Sequence, residues 1–364
     1  MTLSLYFIWR FVKAVGQVLA VFFGIMMLID MVEQLRRFGD KGITLTEAAG
    51  LSLFNVPSSL YQILPLIFIF GSISLFLGLA RSSELVVMRA AGRSGLRFLM
   101  APVFAALVLG LFCIAVLNPL VAATSKHYEA LFSKHARGAE SVLSLSRAGL
   151  WLRQGNEDGQ IVINASRADL EGTRLYDVSF LIFDPSGMPI QRIEAKRADL
   201  TPGAWAIAEA KLWDLRASNP EVTAQELENT TLPSELTREG IRDSFGDPSA
   251  ISIWALPDYI AKLELAGFSA RAHRVWMQME LALPLLLGSM VLVAAGFTMR
   301  HARFGKTGQM VLYAILGGFA IFFLRNFAQV LGDNGQIPVI LAAWSPPVAA
   351  VLLSLGLLLH LEDG

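Results

Sequence analysis

Six long apolar stretches, three before and three after a polar middle, constrain this chain more than any other feature of its sequence. They cover residues 8–35, 53–79, 98–120, 275–298, 310–331 and 338–360. A helix needs roughly 20 mostly apolar residues to cross a bilayer core, where its backbone groups must bond within the segment. Each stretch is long enough, so the sequence predicts an α-helical membrane protein with six transmembrane helices. Composition agrees: of 364 residues 54% are hydrophobic and 16% charged, too apolar for an ordinary soluble chain. The formal net charge is zero, so no basic field points to nucleic acid. The one cysteine, Cys113, lies in an apolar run and reads as packing.

Arg10 and Lys13 precede the first stretch, as in a secretory signal, but the stretch continues without a small-residue cleavage site into Asp30-Met31-Val32-Glu33-Gln34-Leu35-Arg36-Arg37. An uncleaved first span is expected. Basic residues concentrate after span two (Arg81, Arg89, Arg93, Arg97) and after span four (Arg300, Arg303, Lys306), whereas the turn 332–336 carries only Asp333. Arginine and lysine are retained on the cytoplasmic side, so both basic loops and both termini are expected there. The polar middle then lies outside the membrane, in the periplasm if the host is Gram-negative. The expected organisation is residues 1–122 as spans one to three, 123–272 as an external β domain with helical flanks, and 273–364 as spans four to six.

In that middle region long apolar runs give way to short alternating segments separated by Gly, Pro, Asp and Asn. Tyr176 to Phe183 alternates so that Val178, Phe180 and Ile182 share a strand face ahead of the turn Asp184-Pro185-Ser186-Gly187. Further strands are expected at 150–153, 160–165, 190–200, 205–210, 212–215 and 222–228, which together imply an all-β sandwich or jelly roll inserted between helices three and four. Residues 123–136 and 254–266 read as flanking helices.

The most specific segment joins spans two and three: Arg81-Ser82-Ser83-Glu84-Leu85-Val86-Val87-Met88-Arg89-Ala90-Ala91-Gly92. Leu85 and Met88 can share one helical face, with Ser82 or Ser83 as N-cap and Gly92 as stop, giving a short amphipathic helix over about 82–92. Such a helix lies on lipid headgroups or docks into a partner's groove, and the residues alone leave both open. The run from Ser83 to Gly92 resembles the coupling segment of the LptF/LptG permeases of lipopolysaccharide export. The order of three spans, an external β domain and three more spans resembles that family over almost the whole chain. Glu33-Gln34-Leu35-Arg36-Arg37 and Gly149-Leu150-Trp151 favour its LptG branch over the LptF branch, which stays as the alternative.

The resemblance implies an ABC-type exporter. Its permease subunits, of LptG and LptF type, work with a dimer of a separate LptB-type ATPase and pass lipopolysaccharide from the inner membrane to an LptC-type bridge protein. It implies ATPase coupling by Ser83, Glu84, Leu85, Met88 and Arg89, and no catalysis, metal or cofactor in this chain. Arg93 and Arg97, like Arg89, suit anionic headgroups of membrane lipid. Substrate binding falls to Arg36 and Arg37 at the end of span one, since guanidinium groups bind phosphate bidentately. Glu33 and Arg37 stand in the favourable i,i+4 order for an intrahelical ion pair, and relatives can carry lysine near Asp30, so the charge pattern departs from theirs. In the spans, Glu280 and Arg325 stand out because an ionisable group at the bilayer centre costs about 2.5–3.5 kcal/mol unless it faces protein or a cavity. They read equally as a mutual pair or, for Arg325, as a third substrate contact.

Other chemistry fails on the residues. Gly305-Lys306-Thr307 lacks the first glycine and the preceding strand of a phosphate loop. The histidines His127, His135, His273, His301 and His360 lack zinc-ligand spacing, and there is no nucleophile elbow. A proton-coupled transporter would be expected to place carboxylates near the bilayer midplane, and a scaffold would use only the β-domain edge. Co-purification of an ATPase separates both from an exporter.

Overall fold

The computed structural model describes residues 2–39, 42–82, 84, 95–136, 143–146, 149–156, 159–169, 172–234, 236–237, 241, 247–265, 268–299 and 307–362. Among these, six helices are long and apolar enough to cross a membrane: Leu3–Phe38, Leu64–Arg81, Phe98–Glu129, Arg271–Thr298, Thr307–Asp333 and Val339–His360. The chain divides into two compact units. One comprises Met1–His135, Ser249–Trp254 and Arg271–Gly364, the other Ala136–Pro248 and Ala255–Ala270.

In the helical unit, α1 (Thr2–Phe38) is a single unbroken rod. The second apolar stretch is two helices, α2 (Leu45–Gln62) and α3 (Leu64–Arg81), broken at Ile63. Pro65 supplies the break, because it has no N–H to give and its ring opposes the carbonyl four residues earlier. Pro57 and Pro284 sit inside uninterrupted helices. The start at Leu45, earlier than hydropathy marks it, is set by a capping box: the Glu47 N–H donates to Thr44 Oγ1 at 3.3 Å, and the Thr44 N–H to Glu47 Oε2 at 2.9 Å.

The third span is α4 (Gly95–Phe112), a π-helical turn at Cys113–Leu117, and α5 (Asn118–Ala136). Then come α7 (Arg271–Thr298), α8 (Thr307–Asp333) and α9 (Val339–Glu362). The centre of the bundle is α7: 83% of its most apolar window is buried, against 6% for α1 and 11% for α8. α4 approaches α7 through Gly110, where a Cβ would stand 2.5 Å from Pro284 Cα, so any larger residue forces the backbones apart.

The other unit holds seven described strands: β1 (Leu143–Ser146), β2 (Gly149–Asn156), β3 (Gly159–Ala168), β4 (Arg174–Phe183), β5 (Pro189–Thr201), β6 (Ala204–Asp214) and β7 (Gln225–Pro233). They form one antiparallel sheet in chain order, each bonded to its sequence neighbours. The inserted all-β domain is present, and its connectivity is a meander. The two strands expected at 205–210 and 212–215 are one, β6. Buried Phe180 pairs across to Ile163 and Ile193 and sets its ring edge-on to Trp205 at 6.3 Å. Side-chain alternation changes phase at Asp177 (φ 50°) and Glu209 (φ 53°), where facing strands each leave one residue out of the ladder and the register continues unchanged. Hence Leu175 and Val178 are both buried although three residues apart. α6 (Leu256–Leu265) is the amphipathic helix expected after the sheet.

Candidate substrate and coupling sites

The last turns of α1 carry charged residues with separate partners. Asp30 is engaged inward: Asn55 Nδ2 donates to it at 2.7 Å and Gln34 Nε2 at 3.4 Å, while Gln34 also donates to the Tyr128 hydroxyl at 3.1 Å. That set ties α1 to α2 and α5. Glu33 pairs with Arg36 through two hydrogen bonds of 3.0 and 3.1 Å, an i,i+3 pair in place of the i,i+4 pair with Arg37 read from the sequence. The physical reason is an aromatic neighbour. Arg37 lies 4.9 Å from the centroid of Phe132, a cation–π contact, and Phe132 also packs edge-on against Phe38 at 5.3 Å. Arg36 is 77% exposed, and no described carboxylate lies within salt-bridge distance of the exposed Arg37. Both guanidinium groups are accessible to an anion.

Of the expected coupling residues, Ser83, Leu85, Met88 and Arg89 lie outside the described residues; Glu84 is described. Its carboxylate accepts from Ser82 Oγ at 2.7 Å and from Arg10 Nη1 at 2.6 Å, and it lies 3.4 Å from the Tyr6 hydroxyl. Burial alone would raise its pKa, but the Ser82 and Arg10 hydrogen bonds and the Arg10 charge outweigh burial and hold the carboxyl below its usual range. Glu84 is thus an anion at neutral pH, tied to α1.

Glu280 and Arg325 are both buried, at 0% and 8% exposure. They act on each other electrostatically, yet no contact ion pair within 4 Å joins them among the described residues. Glu280 is held instead by the Tyr61 hydroxyl and by Asn118 Nδ2 at 3.2 Å, and its other oxygen has no described partner. Asn118 closes the π-helical turn, and its Oδ1 accepts the Ile253 N–H at 2.8 Å. Trp254 Nε1 donates to the Ala115 carbonyl within the same turn at 3.4 Å. This buried polar locus draws on α2, α5, α7 and α8. Of its members, sequence reasoning named Glu280 and Arg325 and missed Tyr61 and Asn118. The missed signal was there, since a tyrosine and an asparagine inside long apolar stretches need partners.

The charged ends and the buried locus sit on a frame with known relatives. A family model described as lipopolysaccharide export system permease LptF/LptG matches residues 5–360. The chain belongs to the LptF/LptG family. Within it, the chain is similar to the lipopolysaccharide export system permease protein LptG of Escherichia coli K12, at 27% identity over 92% of this chain and 91% of that one. It is also similar to the Haemophilus influenzae protein of the same name, at 24% identity over 100% of this chain and 99% of that one. This LptF/LptG member is therefore a multi-pass membrane permease.

Proposed function

We propose that this chain is the LptG-type permease subunit of an ABC exporter that extracts lipopolysaccharide from the inner membrane. The observation that carries the reading is the family match along nearly the entire chain, with relatives named LptG covering 92% and 100% of it. ATP hydrolysis belongs to a separate dimer of LptB-type ATPase, docked on the cytoplasmic segment that includes Glu84. The second permease is of LptF type, and α1 and α8, the spans least buried in this chain, offer faces for it and for lipid. The β domain lies in the periplasm and passes the glycolipid to an LptC-type bridge protein. Arg36 and Arg37, exposed and cationic, meet the lipid A phosphates. Arg325, which the sequence also offered as a substrate contact, balances Glu280 inside the bundle.

The test is affinity purification of the chain from its host membranes. The ATPase and second permease are expected to co-purify, and Glu84→Ala is expected to release the ATPase while the second permease remains. Recovery of this chain without an ATPase would favour a proton-coupled transporter or a scaffold.

A further inference from the structure

The contacts of Glu84 extend beyond its own loop. Arg10 stands near the start of α1, flanked on the same helix by Phe7 and Phe11, which are 3% and 0% exposed. Phe7 packs edge-on against Phe98 at 4.4 Å and Phe11 against Phe68 at 6.0 Å. This end of α1 is therefore anchored on α3 and α4, whereas most of the helix is scarcely buried. From that anchor Arg10 Nη1 donates to Glu84 Oε1 at 2.6 Å and to the Tyr6 hydroxyl at 2.9 Å. The Arg10 and Glu84 side chains are 30% and 31% exposed, shielded enough for a charge-assisted bond to hold better than a free surface pair.

Two further observations give the pair a direction. Ser82 and Arg10 both use Glu84 Oε1, while among the described residues Oε2 has only the long Tyr6 contact, so Oε2 can accept a donor from a partner protein without displacing Arg10. And α1 runs unbroken from Thr2 to Phe38. At 1.5 Å rise per residue, Arg10 and Arg36 are about 39 Å apart on one rod. Glu84 is thus bonded to a rod that ends in the arginines offered to substrate.

We propose that Arg10 is the positioning residue that passes movement of the Glu84 segment to α1, and so to Arg36 and Arg37. The proposal rests on the reading that Glu84 docks the ATPase. It assigns Arg10 no part in docking.

The experiment uses the full complex in proteoliposomes, comparing wild type with Arg10→Met, Arg10→Lys and Glu84→Ala. It reads ATPase co-purification, ATP hydrolysis and lipopolysaccharide released per ATP hydrolysed. Arg10→Met is expected to keep the ATPase bound and hydrolysing while release per ATP falls by roughly tenfold, the scale of one charge-assisted bond, and Arg10→Lys is expected to restore most of it. Unchanged release per ATP in Arg10→Met would overturn the proposal. So would loss of the ATPase from Arg10→Met, which would make Arg10 part of docking, or an equal fall in hydrolysis and release, the mark of a merely structural role. Retention of the ATPase by Glu84→Ala would instead remove the docking reading itself.

Discussion

Arg325→Met lowers the stability of the helical unit by about 1–3 kcal/mol, the cost of leaving a buried charge without a balancing partner that acts on it from beyond contact distance. The partner is Glu280, 0% exposed, with one oxygen lacking any described donor and the other held by Tyr61 and Asn118. Losing the guanidinium removes a nearby positive charge from a fully buried carboxyl group. Glu280→Gln leaves Arg325 in the converse position and is expected to destabilise as well. The double variant Glu280→Gln/Arg325→Met removes both charges and is expected to be more stable than the sum of the single losses, which a double-mutant cycle by thermal unfolding in detergent measures directly. Strict additivity would show that the two residues do not interact, and a wild-type melt for Arg325→Met would show that its charge is balanced elsewhere.

The locus also shows where sequence reasoning reaches its limit. Six apolar stretches and a polar middle were legible because a bilayer demands long runs and a half-buried sheet demands short alternating ones. The break at Ile63 was not, since Pro57, Pro65 and Pro284 look equivalent in sequence and only Pro65 interrupts its helix. The strand faces were legible as far as the break in alternation, where left-handed Asp177 and Glu209 change its phase with no glycine to mark them. Glu280 and Arg325 announced themselves as charges in apolar helices. Tyr61 and Asn118, 219 and 162 residues from Glu280, joined them only through packing of the bundle.

The same holds at the ends of α1. Helical spacing offered Glu33 either arginine, and what selected Arg36 was Phe132 capturing Arg37 from the far end of span three. Glu84 was identified by resemblance to a coupling segment, but its bond to Arg10 spans 74 residues of chain and no local pattern predicts it. Long-range partners of charged side chains are what the fold adds.

Replacing Arg36 and Arg37 together by alanine is the second large effect. Both are exposed, so fold and assembly are expected to survive. What is lost is the pair of planar cationic forks suited to phosphate. Charge-assisted bonds to phosphate are among the stronger polar contacts, so lipopolysaccharide release is expected to fall by roughly tenfold or more while ATP hydrolysis continues. Lysine at both positions keeps the charges without the bidentate geometry and is expected to recover only part of the release. An alanine pair that exports like wild type would leave these arginines as surface charges.

In the proposed function, lipopolysaccharide passes along this chain at the end of α1, driven by ATP. A photocrosslinking amino acid in place of Arg37, in native-host membranes, tests it most directly. A lipopolysaccharide adduct whose yield changes with ATP turnover is expected. Efficient crosslinking to neighbouring protein with no lipopolysaccharide adduct would contradict it and leave the Phe132 contact as the whole role of Arg37.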